Sequence, residues 1–581
     1  MITPMRHITL VCRVEDAGEV LESVRDFGEL HLESESVTSH DLEADAAKLN
    51  EVQSVVQKLQ TIEEPTGKAP TDDPEQLVQR CLRLIESAKE LSVLDQKLAK
   101  EAHTWAPFGS INLNTLHALK ENGLEVTFLR SADRPVDAPN DATWIPAEPG
   151  FSVVIHSEPF EYPSAITLPV RGPTVIETRR ANISRILSAQ QEALRAIATR
   201  LPDVEAYKVG LDERLEFAHA HSGMGQADKL AWIQGFVPED VIPTLKENIT
   251  AWGVAILERE PAQDDATPTL LKQSAFVSWI QPVFSFLGVT PGYQEVDVGW
   301  SFLIFLSLFS GMIIGDAGYG LLLLALVGGL NLLKPATRGK FANLLLLMAA
   351  ATTAWGLLTG NLFGLSGITA IVPALSATSD PKAIMNVCFL LGAFHLTLAH
   401  VWNLWRNKAS LKALAELGWI GSTWTMYGVT GQMVLGWESI PGFLMPVFLV
   451  SVILIVLFMT PPKEFKENWV DHMMLPLSFV NNFVDVVSYV RLYAVGMATF
   501  ALASSFNTMI FPEGAERNFV VTGIMALILI LGHTLNFILA GMGVMVHGIR
   551  LNTLEFASHL GLTWSGIPYA PFRKRGQKVS S

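Results

Sequence analysis

The sequence predicts a multidomain chain in which N-terminal cytoplasmic α/β lobes are joined by a long antiparallel helical, coiled-coil hairpin. A C-terminal all-α polytopic membrane domain follows, with eight transmembrane helices, the last two long and tilted. Three observations predict this. Residues 1–300 hold 26 Lys and Arg against 46 Asp and Glu, whereas residues 301–581 hold 16 against 11. Apolar residues step by threes and fours in stripes on either side of a mixed α/β stretch, and apolar segments of spanning length fill the second half. With 49% hydrophobic and 17% charged residues and a mean hydropathy of +0.30, the chain is too apolar for an average soluble protein. The acidic first half carries no Lys/Arg stripe, which argues against nucleic-acid binding.

The first half opens with a strand, Met5 to Cys12, an amphipathic helix through Val20, Leu21, Val24 and Phe27, and a second strand after Gly28. Stripes follow at 41–62 (Leu42, Leu49, Val52, Val56, Leu59) and 77–98 (Leu77, Cys81, Leu84, Leu91, Leu98), separated by a Pro- and Gly-containing breaker. A helix is expected near Asn114 to Asn122 and strands at Glu125 to Leu129 and Phe151 to Ile155. Helical seams resume from Val175 to about Ala220, with Pro202 as a kink. Ala231 to Val237 is a strand, after which Pro238-Glu239-Asp240 starts a helix.

These readings place a cytoplasmic arm at 1–270: a proximal lobe (1–40 and 225–262), a helical hairpin (41–104 and 174–222) and a distal lobe (105–173). Residues 271–298 form a junction, 299–562 the membrane domain and 563–581 a basic cytoplasmic tail. Met1 to Val11 lacks the long apolar run of a cleaved signal peptide, so the acidic half is expected to remain cytoplasmic. Cys12, Cys81 and Cys388 are too scattered for a disulfide framework or a thiolate metal site. The first half has neither a phosphate-binding glycine loop nor a His-Glu-x-x-His motif, so no cofactor, metal, bound nucleotide or catalytic residue is expected.

Apolar segments lie at about 299–331, 342–366, 383–405, 413–436, 443–460, 473–511 and 517–560, the fourth weakened by Glu416. Basic residues cluster at Lys334/Arg338/Lys340, Arg406/Lys408/Lys412, Lys463/Lys466 and Arg573/Lys574/Arg575/Lys578, while the connections 367–382, 437–442 and 512–516 share one Lys. Positive charge stays inside, and seven spans would put the first basic loop on the wrong side. Splitting 299–331 at Gly315-Asp316-Ala317-Gly318 repairs the parity, because 33 residues make a helix of about 50 Å against a core of about 30 Å. Asp316 then serves as a turn residue at the outer surface. Eight spans with both ends cytoplasmic define a multi-pass protein of the cell membrane.

The last two segments are roughly twice the hydrocarbon thickness and must tilt, kink or project. Arg491 falls near the middle of the first, where a permanent charge is costly. Asn481, Asp485 and Ser488 make a polar stripe leading to it; His533, Asn536, His547 and Arg550 make a second on the last span. With Asp485 the in-chain candidate for an ion pair, Arg491 has no obvious equal partner, so its counter-charge is expected on another subunit. A carboxylate in lipid must be protonated or ion-bound; beside a guanidinium it is held ionised. Carboxylates moving past Arg491 would release their ion on approach and reload on departure, while the arginine blocks a direct shunt between two half-paths.

At these residues the chain resembles the membrane a subunit of rotary vacuolar-type ATPases, called subunit I in bacterial and archaeal complexes. The resemblance runs nearly the full length through Pro268-Thr269-Leu270-Leu271-Lys272, Gly315-Asp316-Ala317-Gly318-Tyr319-Gly320 and Ser488-Tyr489-Val490-Arg491-Leu492-Tyr493-Ala494, and ends in Gly532-His533-Thr534-Leu535-Asn536 with His547-Gly548-Ile549-Arg550-Leu551-Asn552-Thr553-Leu554-Glu555-Phe556. It implies that Arg491 is the essential arginine facing the proteolipid c-ring, with Arg550 as a second arginine at that interface. It further implies that the arm binds peripheral stalk subunits of E/G type, with a central-stalk-proximal d/C-type subunit as another partner, and resists torque. Asn481, Asp485, Ser488, His533, Asn536, His547 and Glu555 are candidate half-channel residues. Ala540 stands where eukaryotic relatives have glutamate, and Thr499 where some have histidine. The alternatives are a stand-alone ion-coupled secondary transporter with a cytosolic regulatory arm, for which Asp485 would be the exchangeable carboxylate, and a membrane-anchored scaffold. Neither H⁺ nor Na⁺ is singled out by the sequence.

Overall fold

A computed structural model describes residues 1–33, 40–109, 111, 113–131, 141–157, 162, 164–262, 264–365, 369–376, 381–460, 469–510 and 519–575. Lys463, Lys466 and Lys578, part of the connection 367–382 and all of 512–516 lie outside the described residues. The chain divides into two compact units, one of Met1–Ile8, Gly235–Ala251 and Ile256–Pro571, the other of Thr9–Gln234, Trp252–Ala255 and Phe572–Ser581.

In chain order the first half carries β1 (Met5–Arg13), α1 (Ala17–Phe27), β2 (His31–Leu32), α2 (His40–Gln60), α3 (Pro74–Trp105), α4 (Leu113–Glu121), β3 (Glu125–Leu129), β4 (Thr143–Pro146), β5 (Ser152–His156), α5 (Pro173–Ala198), α6 (Leu201–Ser222), β6 (Gly225–Ala227), β7 (Leu230–Pro238), α7 (Ile242–Trp252) and β8 (Ala255–Arg259). One sheet has the order β2-β7-β1-β8, with β6 antiparallel to β7. Gly28 ends α1 with a positive φ of 74°, a turn glycine makes without strain. The second sheet, β3-β5-β4, is antiparallel, with Glu125 opposite His156 and Thr143 opposite Ile155. Strand β4 was not expected from the sequence: at four residues with one strongly apolar position it carries almost no pattern.

The helical stripes pack as the periodicity requires, α3 on α5 and α2 on α6. Val52, Val55, Leu59, Leu77, Cys81, Ile197 and Val204 form one apolar seam, and Leu98, Trp105, Phe108, Phe128, Ile176 and Ile183 another. Pro74 sits in the first turn of α3, behind Asp73, whose carboxylate accepts the Glu75 N–H. The kink expected at Pro202 is a full break: α5 ends at Ala198 and α6 restarts at Leu201 with Pro202 in its first turn, where a missing N–H costs nothing. Across α3 and α5, Arg180 donates to both Asp95 carboxylate oxygens at 2.9 and 3.3 Å.

The second half continues with β9 (Pro268–Thr269), α8 (Gln281–Leu287), α9 (Gly299–Ile314), α10 (Ala317–Leu333), α11 (Lys340–Thr359), α12 (Pro381–Arg406), α13 (Lys412–Thr430), α14 (Leu444–Phe458), α15 (Trp469–Met473), α16 (Leu475–Ser488), α17 (Val490–Ile510), α18 (Phe519–Gly543), α19 (Ala557–Leu560) and β10 (Ile567–Pro568), which pairs parallel with β9. Among the described residues, Lys340–Thr359, Pro381–Arg406, Leu475–Met509 and Thr522–Leu560 are long and apolar enough to cross a membrane. α9, α10 and α14 are apolar but shorter. Segment 299–331 is split as the length arithmetic required, and Asp316 caps α10.

α9 is buried along nearly its whole length and forms the centre of this unit, packed by α11, α17, α18 and the turn Val544–Gly548. Small residues permit the approach: a Cβ on Gly496 would stand 2.4 Å from the Met312 carbonyl oxygen, and one on Gly311 2.9 Å from that of Ala351. The over-long segment 473–511 breaks at Tyr489 between α16 and α17. The last segment is interrupted by π-helical turns at Val544–Gly548 and Leu551–Phe556, so Arg550 stands between two widened turns.

Candidate functional site: an arginine pair between two polar networks

The kink at Tyr489 places Arg491 in the first turn of α17. Tyr489 is held by His395, whose Nδ1 lies 2.8 Å from the phenol oxygen and whose ring stacks between Phe305 and Phe556. Phe556 closes the π-turn that carries Glu555, so one buried imidazole braces both the Arg491 kink and the Glu555 turn.

Arg491 donates from Nη1 to Glu555 Oε1 at 2.7 Å and from Nη2 to Ser488 Oγ at 3.3 Å. Arg550 Nε approaches the same Glu555 oxygen at 3.7 Å. This corrects the expectation that Arg491 lacks an equal partner in its own chain, and that any pair would be with Asp485. Glu555 is 64 residues away in sequence, on the opposing helix, and Asp485 is engaged elsewhere. The Glu555 side chain is only 5% exposed, against 25% for Arg491 and 52% for Arg550. Two guanidinium groups therefore share one buried carboxylate, leaving one positive charge in excess and Arg550 as its accessible face.

Towards one end of the antiparallel helices, Asp485 Oδ2 lies 3.0 Å from His559 Nε2, His559 Nδ1 lies 2.9 Å from His400 Nε2, and His400 Nδ1 lies 2.8 Å from Glu416 Oε2. With Asn481, Asn482, Ser478, Ser558 and Trp419 these residues line a cleft of about 270 Å³. Towards the other end, His533 Nδ1 is 2.7 Å from Tyr319 Oη and its Nε2 3.1 Å from Asn507 Oδ1. Asn536 donates to Tyr319 Oη at 3.1 Å and to the Thr499 carbonyl at 2.8 Å. His547 sits half-buried in the first π-turn, within electrostatic range of Arg491 and Arg550. Ala540 is buried.

The structure thus brings together Arg491, Arg550, Glu555 and Ser488 in one cluster, Asn481 and Asp485 in a second, and His533 and Asn536 in a third. Sequence reasoning missed His400, His559, Glu416, Tyr319 and Asn507. His559 had a usable signal, being one helical turn beyond Glu555 on the same face; the others are brought in only by tertiary packing. Among the described residues no group of three His, Cys, Asp or Glu side chains is arranged to hold a metal ion.

No family model matches the chain. It is 27% identical over 614 residues to V-type ATP synthase subunit I of Borreliella burgdorferi, covering 99% of this chain and 100% of the relative. It is 29% identical over 630 residues to V-type ATP synthase subunit I 1 of Treponema pallidum, again with 99% and 100% covered. Over nearly its full length the chain is similar to subunit I of V/A-type ATP synthases. A-type ATP synthase subunit I of Methanocaldococcus jannaschii matches at 25% over 464 residues, 68% of this chain and 66% of the relative. The agreement with these two relatives spans both halves of the chain and supports a rotary ATPase membrane subunit.

Proposed function

We propose that this chain is the membrane stator subunit that provides the ion path of a rotary V/A-type ATPase and hydrolyses nothing itself. The observation that carries the reading is the excess positive charge of Arg491 and Arg550 over their shared Glu555, with a polar network at each end. Residues 299–562 act as the ion-translocating domain, crossing the membrane eight times through α9, α10, α11, α12, α13, α14, α16–α17 and the last helix. The basic connection Arg406 to Lys412 follows α12 and precedes α13, next to His400 and Glu416, so the Asp485 network opens to the cytoplasm and the His533 network to the other side. The arm, 1–270, binds peripheral stalk subunits and resists torque.

The mechanism follows from charge. A proteolipid carboxylate crosses lipid only when neutralised by its ion; facing Arg491 and Arg550 it is stabilised in ionised form and gives the ion up to one network. On leaving it reloads from the other. Glu555 offsets one arginine and fixes its guanidinium, leaving the second charge for the ring. Ile538, Leu539, Met542, Met545, Val546 and Leu554 are exposed near Arg550 on the last helix, an apolar surface suited to lipid and to the ring.

Cross-linking tests the reading. In the assembled complex, a cysteine replacing Met545 should cross-link to the proteolipid ring, and the cross-link should stop ATP-driven ion uptake until cleaved. A complex lacking a proteolipid ring, or a cross-linked complex that pumps at full rate, would overturn it.

A further inference from the structure

Glu416, His400, His559 and Asp485 form an unbroken line of three hydrogen bonds across four helical segments: α13, α12, the last helix and then α16 are joined at 2.8, 2.9 and 3.0 Å. Both nitrogens of both imidazoles are engaged, one towards each neighbour. The line runs along the polar cleft and ends one turn from the arginine cluster, because Ser488, which Arg491 touches, follows Asp485 by three residues and His559 follows Glu555 by four. A water-filled route alone would not need two imidazoles in series. Imidazole is the side chain that takes a proton on one nitrogen while releasing another from the second.

Resting on the function proposed above, we infer that Glu416–His400–His559–Asp485 is a side-chain proton relay between the cytoplasmic surface and the arginine pair, and that the ion carried is a proton. For inward passage the O–H bond at Glu416 breaks as an N–H forms at His400 Nδ1. The N–H at His400 Nε2 breaks as one forms at His559 Nδ1, and the N–H at His559 Nε2 breaks as an O–H forms at Asp485. Three bonds break and three form, and one proton moves. Each imidazole ends in its other tautomer, and rotation of the ring restores it. Asp485 then protonates a ring carboxylate leaving the arginines; the reverse sequence serves the opposite direction of rotation. Na⁺ cannot hop along N–H bonds, so this line does not carry it.

The test uses the whole complex in sealed vesicles, with ATP-driven proton uptake followed by a pH-sensitive dye and sodium uptake by radioactive tracer, both per assembled complex. His559→Ala should slow proton uptake about tenfold or more, and imidazole added on the cytoplasmic side should restore much of the loss. His559→Gln preserves a hydrogen-bonding side chain but cannot shuttle, and should remain slow; it covers the case in which the alanine variant fails to assemble. A purely structural role would not respond to imidazole. Uptake near wild type in either variant, a loss that imidazole leaves unchanged in His559→Ala, or ATP-driven sodium uptake by the wild type would overturn the relay. Arg491→Ala measured alongside separates the two claims: if it is inactive while His559→Ala pumps normally, only the relay fails, and if it pumps normally the stator reading itself fails.

Discussion

Asp316 is a carboxylate within an apolar stretch, and the structure assigns it to the backbone rather than to ion transfer. Its Oδ1 accepts the N–H groups of Gly318, Tyr319 and Phe363 at 2.7, 3.2 and 2.8 Å, and its Oδ2 that of Gly364 at 2.9 Å. The residue is 1% exposed, so water does not readily replace these bonds. Asp316→Ala removes an acceptor from four donors, of which Gly364 keeps Asn361 Oδ1; for the other three, at about 1 kcal/mol each, the loss is about 3 kcal/mol, a large part of the stability of an ordinary domain. Asp316→Asn keeps Oδ1 and caps a helix nearly as well, and Gly364 retains Asn361 Oδ1 at 3.2 Å, so its loss should be about 1 kcal/mol. The assay compares the yield and heat inactivation of the assembled complex with ion uptake per complex. The alanine variant should fail to accumulate; the asparagine variant should assemble, inactivate slightly sooner and pump at the wild-type rate. An asparagine variant that assembles fully and does not pump would refute this reasoning and place the carboxylate on the ion path.

Two further outcomes concern the arm. Burial pushes the Cys81 thiol up to about 11, and the side chain is fully buried, so maleimide should label it orders of magnitude more slowly in the native chain than in detergent-denatured chain at neutral pH. The hydrogen bond from Arg180 holds the Asp95 carboxylate below its ordinary range, and its contribution is therefore present above about pH 4 and lost as the pH falls through the depressed value. Amide exchange in α3 of the full chain should be faster in Asp95→Asn than in wild type at pH 7, and the difference should shrink as the pH falls below about 4; the pair is half exposed, so the effect is small.

What was legible in the sequence was whatever depends on local period or on length. The stripes of α2, α3 and α5, the opening strand and the split of 299–331 at Asp316 all follow from spacing and from the thickness of a bilayer, as does the need for 473–511 to tilt, kink or project. Arg491 was legible because an unpaired charge in apolar surroundings needs a reason. Its partner was not, since Glu555 lies on an element whose register against α17 is set by packing around Tyr489, His395 and Phe556. In the sequence Glu416 only weakens the apolar character of its segment, whereas in the fold it is the counterpart of His400. The π-turns around Arg550 have no sequence signature that periodicity detects, because one added residue per turn looks like noise in a 3.6 pattern.

The central claim is that Arg491 is on the ion path. It is tested most directly by ATP-driven ion uptake into vesicles carrying the assembled complex, wild type beside Arg491→Ala, with subunit content verified in both. Uptake should be abolished in an intact complex. Normal uptake in the variant would reduce the Arg491–Glu555 pair to a structural ion pair and contradict the account.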